Sequence, residues 1–171
     1  MEKKEVEQLY RAYFDTLYRI CFLYMKCEAD ALDMVQETFV KLMRSDFEFQ
    51  GEEKTKAWLI ITASNSCKTQ LAKWWRKKRD SFDEMKWEQQ TAQSGEFSDS
   101  EVLQTVMEME EKYRIVTYLY YFEGYKTGEI GQMLHISQST VQTRLARARK
   151  LLKLEFEKKD CAERRGELYE S

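Results

Sequence analysis

Amide, hydroxyl and cationic side chains are concentrated in residues 138–153. Glutamine, serine and threonine stand at the beginning of this stretch, which contains five lysine or arginine residues and no aspartate or glutamate. Amides and hydroxyls suit base edges in a major groove, and cations suit the flanking phosphates. The residue types therefore predict a helix that reads duplex DNA. Its candidate contact residues are Gln138, Ser139, Gln142, Thr143, Arg144, Arg147 and Lys150.

A helix-turn-helix corner is predicted to position that face. Residues 129–134 form its short first helix, His135 and Ile136 form the turn, and Ser137 is an N-cap whose hydroxyl satisfies a backbone N–H. The second helix has apolar residues spaced by four, three and four, as a buried stripe requires. These residues are Val141, Leu145, Ala148 and Leu152. A basic amphipathic helix with a solvated polar face is the alternative interpretation.

A second group of aromatic, amide and cationic side chains lies in residues 56–80, predicted as one helix. Its expected core positions are Leu59, Ala63, Cys67, Leu71 and Trp74. The other side offers rings for stacking on bases and cations for following a backbone, as single-stranded DNA requires. The candidate contacts are Trp58, Thr62, Asn65, Lys68, Arg76 and Lys77. A core helix whose cationic end offsets its own dipole is the alternative.

Composition favours an all-α protein of two small helical domains. The 171 residues include no proline and only six glycines. The predicted domains are residues 1–80 and 102–171, joined by a linker at 81–101. We expect this linker to be flexible, because residues 80–101 hold seven acidic residues against one lysine. A loop is predicted at residues 46–55.

Further helices are predicted at residues 5–25, 29–45, 102–109 and 111–122. The first two have expected core faces, made of Val6, Leu9, Tyr13, Leu17, Ile20 and Tyr24, and of Leu32, Val35, Phe39 and Leu42. The helix at residues 111–122 is expected to have an apolar face and a polar face. The apolar face consists of Tyr113, Val116, Leu119 and Tyr120, and the polar face includes Arg114 and Thr117. The helix is expected to fray in the charged tail from residue 155.

Several classes of protein are disfavoured. No apolar run approaches the roughly 20 residues of a membrane span, and the first residues lack a signal-peptide pattern, so we expect a cytoplasmic protein. The four cysteines show no CxxC spacing and there is a single histidine. We therefore expect buried, reduced thiols, with no metal site and no cofactor. No nucleophile–base arrangement or phosphate-binding loop indicates an enzyme.

Three motifs, in order along residues 8–153, resemble the extracytoplasmic-function (group IV) sigma factors of the sigma-70 family of bacterial RNA polymerase. The first combines Asp30-Ala31 and Asp33 with residues 35–39 (VQETF). The second combines Trp58-Leu59 with Ala63 and Asn65. The third lies in the helix-turn-helix and includes Phe122-Glu123-Gly124, Glu129-Ile130, Leu134, Ile136-Ser137, Thr140-Val141, Arg144-Leu145 and Arg147-Ala148-Arg149.

The resemblance implies a polymerase subunit that recognises promoters and opens DNA. The helix-turn-helix would read the −35 element, and the surface around Asn65 would bind the −10 element. Asp33, Gln36 and Glu37 would bind the clamp helices of the largest polymerase subunit. The remaining implied partners are the flap of the second-largest subunit and an anti-sigma factor.

Two residues depart from the family pattern at the helix-turn-helix corner. His135 stands where a turn glycine is usual, which predicts a positive φ at a non-glycine residue. Gly131 stands where alanine is usual, which allows a close approach at the expense of helix stability. The alternative function is a helix-turn-helix regulator that acts without being a polymerase subunit. It does not explain the VQETF and WLxxxAxN motifs.

Overall fold

Seven α-helices form the regular structure of the computed structural model, which describes residues 3–80 and 101–169, with side chains at 4–79 and 101–162. No strand occurs in these ranges. The helices are α1 (Lys3–Met25), α2 (Glu28–Arg44), α3 (Glu52–Asp80), α4 (Glu101–Glu108), α5 (Glu111–Tyr121), α6 (Thr127–Leu134) and α7 (Gln138–Tyr169). The all-α prediction is confirmed.

The chain divides into two compact units, Met1–Ser94 and Gly95–Ser171. Among the described residues, α1 to α3 belong to the first unit and α4 to α7 to the second. The predicted linker at 81–101 lies outside the described residues except for Glu101, which begins α4. Its flexibility and the domain limits at residues 80 and 102 therefore stay predictions.

Apolar side chains at helical spacing pack α1 and α2 against α3. The predicted faces are partly correct. The helix α1 buries Leu17, Ile20 and Tyr24, and α2 buries Val35, Phe39 and Leu42. The prediction was wrong for the first half of the α1 face, where Val6, Leu9 and Tyr13 are only half-buried. The prediction for Leu32 was wrong, because it is only half-buried. At about 100° per residue, Leu32 lies at one edge of the buried stripe, about 20° beyond Phe39. That stripe consists of Ala31, Met34, Val35, Thr38, Phe39 and Leu42.

The helix α3 begins earlier than predicted. Residues 52–55 were assigned to a loop, but the helix starts at Glu52, and the Thr55 N–H donates to the Gly51 carbonyl at 3.1 Å. Gly51 has a φ of 101°, which favours glycine, so the chain turns into the helix there. The loop is therefore confined to the residues between Arg44 and Glu52.

The end of α3 is less buried than its apolar pattern predicted. Leu59, Ala63 and Cys67 are buried, but Leu71 is half-buried and Trp74 is exposed. With 29 residues α3 is about 44 Å long, whereas α2 with 17 residues is about 26 Å long. The last turns therefore extend past the end of the shorter helix.

In the second unit, α5 buries two polar residues that were predicted to face away. Arg114 is 5% exposed and Thr117 is 1% exposed, whereas Tyr113 and Tyr120, which were predicted on the core face, are only half-buried. Arg114 Nη1 donates to the Met107 carbonyl at 3.3 Å, and burial lowers the pKa of its guanidinium. Neighbouring helices therefore surround more of α5 than one apolar stripe.

The helix α7 continues to Tyr169, so the prediction of a frayed tail from residue 155 was wrong. Lys159 Nζ lies 2.8 Å from Glu101 Oε1. This ion pair connects the tail to the first turn of α4. Leu152, predicted as core, is half-buried.

The cysteines are all free, but only Cys21 and Cys67 are buried as predicted. Cys27 is partly exposed and Cys161 is exposed, so the prediction of four buried thiols was wrong for these two. Within the described ranges, no three His, Cys, Asp or Glu side chains are grouped to hold a metal ion. In the same ranges, no helix combines the length and apolarity needed to cross a membrane.

Candidate nucleic-acid interfaces

The corner between α6 and α7 turns at His135, which has φ 57° and ψ 42°. This left-handed conformation confirms the predicted positive φ. The Ile136 N–H donates to the Gly131 carbonyl at 3.0 Å. A Cβ at Gly131 would meet the Ile136 carbonyl oxygen at 2.8 Å, so the glycine permits this approach. The His135 N–H also donates to the Gly131 carbonyl, so the two unusual residues of the corner are in direct contact through the backbone.

Ser137 caps α7 as predicted. Its Oγ accepts a hydrogen bond from the Thr140 N–H at 3.1 Å. The same oxygen lies 2.7 Å from Thr140 Oγ1 and 3.1 Å from Ser139 Oγ. Three hydroxyls therefore gather at the beginning of the helix.

The polar face of α7 is positioned by the buried stripe behind it. Val141, Leu145 and Ala148 are at most 1% exposed. The seven predicted contact residues are exposed, except Arg144, which is half-buried. Two of them are oriented by hydrogen bonds, from Gln138 Nε2 to Thr127 Oγ1 at 3.0 Å and from Thr143 Oγ1 to the Ser139 carbonyl at 2.9 Å.

A groove of about 420 Å³ runs between α7 and the beginning of α5. It brings together four predicted residues, Ser139, Thr143, Arg144 and Arg147, with Thr140, Lys112 and Tyr113. Gln138, Gln142 and Lys150 lie on α7 outside this lining. Three cations and four hydroxyls line one groove, which is a suitable environment for a phosphate.

Lys112 and Tyr113 were not among the predicted DNA-binding residues, and Tyr113 was expected on the core face of its helix. Lys112 Nζ lies 3.4 Å from Glu110 Oε2, and this hydrogen bond is the main cause of its raised pKa. The one feature of the sequence that could have indicated Lys112 is that it is a lysine close to the beginning of a predicted helix. No periodicity in α5 indicates that this terminus faces α7.

Arg149 is held by tyrosines of α5. Its Nε donates to Tyr121 Oη at 2.6 Å, and its guanidinium carbon lies 5.9 Å from the Tyr120 ring centroid and 5.8 Å from the Tyr121 centroid. The hydrogen bond to Tyr121 is the main cause of its raised pKa. Arg149 therefore connects α7 to α5.

On α3, five of the six predicted DNA-binding residues share one side. At about 100° per residue, Trp58, Thr62, Asn65, Lys68 and Arg76 fall within a sector about 120° wide. Lys77 falls outside this sector. Asn65 and Arg76 are exposed, and Trp58, Thr62 and Lys68 are half-buried. We call these five residues the α3 face.

The loop before α3 supports this face. The Phe47 and Trp58 rings lie 4.9 Å apart at 41°. The sequence predicted a loop here but did not indicate the contact of Phe47 with Trp58. The contact fixes one edge of the α3 face to the loop.

The three residues assigned to polymerase lie close together on α2. Asp33 and Gln36 are exposed and Glu37 is half-buried. Glu37 Oε1 lies 2.8 Å from Lys41 Nζ, an i,i+4 ion pair on the helix surface. Lys41 Nζ also donates to Ser66 Oγ on α3 at 2.7 Å. Lys41 therefore connects this group to the residue next to Asn65.

Two family models match the chain. Residues 9–77 match Sigma-70 region 2, and residues 99–152 match Sigma-70, region 4. RNA polymerase sigma factor SigV of Bacillus subtilis (strain 168) is 31% identical over 149 residues, covering 85% of this chain and 87% of the relative. ECF RNA polymerase sigma factor SigX of the same organism is 25% identical over 166 residues, covering 87% and 82%.

Two solved structures share the fold. The sigma factor RpoE, crystallised with the anti-sigma factor NepR from Bartonella quintana, has a TM-score of 0.72 at 22% identity, covering 90% of this chain and 98% of that chain. CnrH, in complex with the cytosolic domain of CnrY, has a TM-score of 0.60 at 21% identity, covering 91% and 90%. Both the helix-turn-helix and the helices before it therefore have counterparts in one known architecture.

Proposed function

The chain belongs to the sigma-70 family of RNA polymerase sigma factors, in its extracytoplasmic-function group, and we propose that its two units bind separate promoter elements. The second unit binds the −35 element through α7, and the first binds the −10 element through the α3 face. Family membership also decides against the alternative of a regulator that is not a polymerase subunit. The protein acts by binding, without catalysing a reaction itself, and does so in the bacterial cytoplasm.

The groove beside α7 is the observation that carries the −35 assignment. Gln138 and Gln142 extend from the exposed side of α7, where amides suit base edges in a major groove. Arg144, Arg147 and the added Lys112 line the groove and bind phosphates of the flanking backbone. Lys150 continues the cationic line along α7. The α7 face thus separates base-reading groups from phosphate-binding groups.

The α3 face provides the −10 contacts. Asn65 has both a donor and an acceptor for a base edge, and it lies between half-buried Thr62 and Lys68. Trp58 provides an aromatic surface that Phe47 supports. Arg76 follows the backbone further along the helix, and Lys77 makes a peripheral phosphate contact. This combination suits unpaired DNA, because stacking and charge together offset the cost of removing a base from the duplex.

Core polymerase binds the α2 group of Asp33, Gln36 and Glu37. The carboxylates give this surface an acidic character and Gln36 adds an amide. The clamp helices of the largest subunit are the proposed partner, and the flap of the second-largest subunit is the proposed partner of the second unit. An anti-sigma factor is a further proposed partner, because the structurally similar RpoE and CnrH were solved in complexes with NepR and CnrY.

A binding assay with core RNA polymerase tests the α2 assignment. Glu37→Lys should weaken core binding at least tenfold, because it replaces an attractive charge by a repulsive one. Glu157→Lys changes the net charge equally and lies on the exposed tail of α7, so it should leave core binding within twofold. Equal affinities of the two variants for core would move the polymerase interface away from α2.

Promoter opening tests the α3 face. Holoenzyme with Asn65→Ala should form normally and occupy the promoter, but open it poorly and lose its base preference within the −10 element. A fluorescent base analogue in that element reports opening directly. If Asn65→Ala holoenzyme opens the promoter normally and keeps its base preference within the −10 element, the α3 face is an ordinary solvated surface.

A further inference from the structure

Glu110 occupies the N-cap position of α5, but its side chain does not cap the helix. Its φ and ψ are −58° and 147°, and its carboxylate makes no capping hydrogen bond to the described residues of the first turn. The Glu110 carbonyl begins the helix instead, because it accepts hydrogen bonds from the Tyr113 and Arg114 N–H groups at 2.9 and 3.0 Å. An N-cap residue normally contributes through a side-chain oxygen, so the Glu110 carboxylate is available for another role.

The Glu110 carboxylate is paired with the lysine of the groove beside α7. Lys112 Nζ lies 3.4 Å from Glu110 Oε2 and 5.0 Å from the centroid of the Tyr113 ring. Lys112 and Tyr113 both line the groove, together with the cations Arg144 and Arg147. Glu110 therefore holds a cation that lies where a DNA phosphate is proposed to bind.

This ion pair is exposed enough for DNA to displace it. The side chains of Lys112 and Glu110 are 49% and 72% exposed, and exposed pairs are weak and screened by salt. A phosphate held by Arg144 and Arg147 can therefore compete with Glu110 for the ammonium. A charge-assisted hydrogen bond to the phosphate would then replace the one to the carboxylate.

We propose that Glu110 sets the affinity of the −35 interface, because it competes with the DNA backbone for Lys112 and weakens binding to every sequence alike. The inference rests on the proposed phosphate-binding role of the groove and adds an acidic competitor to it. Phosphate contacts carry no base information, so Glu110 leaves the base preference of Gln138 and Gln142 unchanged. It also weakens non-specific complexes, since these depend on phosphate contacts.

Holoenzyme reconstituted with the full chain tests the proposal on a duplex that carries the −35 element and a scrambled −10 element. Glu110→Gln removes the charge with almost no change in size. It should strengthen binding about two- to fivefold for all −35 variants alike, as the loss of an exposed competing pair allows. Since Lys112 can then neutralise a phosphate, the slope of log K against log salt should steepen by up to about 0.9.

Glu108→Gln is the matched control. It removes the same charge from an exposed residue at the end of α4, whose carboxylate acts on Lys159 in the tail of α7. It should change the affinity by less than about 1.5-fold, because charges further from the bound phosphates are screened by salt. Partial unfolding cannot imitate the result for Glu110→Gln, because the expected change is a gain in affinity.

Lys112→Gln determines whether Glu110 acts through the lysine. In the Lys112→Gln background, Glu110→Gln should strengthen binding clearly less than it does in the original chain. An unchanged affinity or salt slope of Glu110→Gln, an equal gain in both backgrounds, or a gain confined to one base pair would each overturn the proposal. Arg147→Ala distinguishes the two levels. If it weakens binding and Glu110→Gln has no effect, only the proposal about Glu110 fails, whereas full binding by Arg147→Ala removes its premise.

Discussion

The two longest helices, α3 with 29 residues and α7 with 32, each carry a proposed DNA surface, but they support it differently. Beneath the polar face of α7, Val141, Leu145 and Ala148 are buried, and hydrogen bonds orient Gln138 and Thr143. On α3 the buried residues end near Cys67, and the turns beyond it carry exposed aromatic and cationic side chains.

The difference corresponds to the DNA that each helix is proposed to bind. Duplex DNA presents fixed donors and acceptors, so a reading helix benefits from side chains held in one arrangement. An unpaired strand is flexible, and stacking and charge tolerate many arrangements of it. The rigid face of α7 therefore suits base readout, and the exposed end of α3 suits contact with opened DNA.

Truncating one leucine in each helix measures this difference in support. Leu145 is 1% exposed, so Leu145→Ala should lower the free energy of unfolding by about 2–5 kcal/mol. Leu71 is half-buried, and Leu71→Ala should cost less than about 1.5 kcal/mol. Urea unfolding followed by circular dichroism and by tryptophan fluorescence provides the measurement.

The two signals assign the loss to a unit, because all four tryptophans lie in residues 58–87. Fluorescence should respond to Leu71→Ala and circular dichroism alone to Leu145→Ala. Equal losses would mean that α3 is supported along its whole length, which contradicts the comparison.

Base readout should distinguish groups along α7. Gln142→Ala should cost about 1–3 kcal/mol at one base pair and relax specificity there, whereas Arg147→Ala should weaken all sequences alike and reduce the salt slope by about 1. Holoenzyme binding to a library of −35 sequences measures both effects. If Gln142→Ala weakens binding to all sequences equally, the Gln142 amide contacts the DNA backbone and not a base.

The sequence predicts the packed face of α7 better than the exposed end of α3. The corner before α7 has dense local signals, namely an N-cap serine, a short turn and regular apolar spacing, and its geometry was correctly predicted from them. The end of α3 was not, because periodicity indicates which side of a helix is apolar but not how far its partner helices reach. Trp74 followed the core spacing and is nevertheless exposed.

Tertiary neighbours explain the other discrepancies. Lys112 and Tyr113 join the groove only because the beginning of α5 lies beside α7, and no local pattern encodes that proximity. Arg114 is buried because its guanidinium reaches the Met107 carbonyl, so a charged residue occupies a core position. The early beginning of α3 was missed because Gly51 was taken as part of a longer loop, whereas its positive φ places it immediately before the helix.

Removing the cap of α7 should have an intermediate effect. Ser137→Ala leaves the Thr140 N–H without its side-chain acceptor, so it should destabilise the second unit by about 1 kcal/mol. Ser139→Ala is the matched control, because Ser139 does not occupy the N-cap position, and it should change stability by less than about 0.5 kcal/mol. Thermal unfolding of the full chain compares the two. If both variants are destabilised equally, the Ser137 side chain does not stabilise the beginning of α7 as an N-cap.

The smallest expected effect concerns His135, where replacement by glycine would relieve the backbone strain of the left-handed conformation before α7. A non-glycine residue in the left-handed region costs about 1–2 kcal/mol, and glycine removes that cost but adds entropy to the unfolded chain. His135→Gly should therefore stabilise the second unit by about 0.5 kcal/mol. Gly131→Ala should destabilise it, because the new Cβ would meet the Ile136 carbonyl at 2.8 Å and outweigh the gain in helix propensity.

These two substitutions should be coupled, since the Gly131 carbonyl accepts hydrogen bonds from both the His135 and Ile136 N–H groups. With glycine at 135 the turn has more freedom to move away from a Cβ at 131. Gly131→Ala should then be less destabilising in the His135→Gly background by at least 0.5 kcal/mol, the usual lower limit for residues in contact. A double-mutant cycle of thermal unfolding measures this difference. If the two changes in the free energy of unfolding are additive, the corner does not relax. The close approach at Gly131 and the left-handed conformation of residue 135 would then be independent of each other.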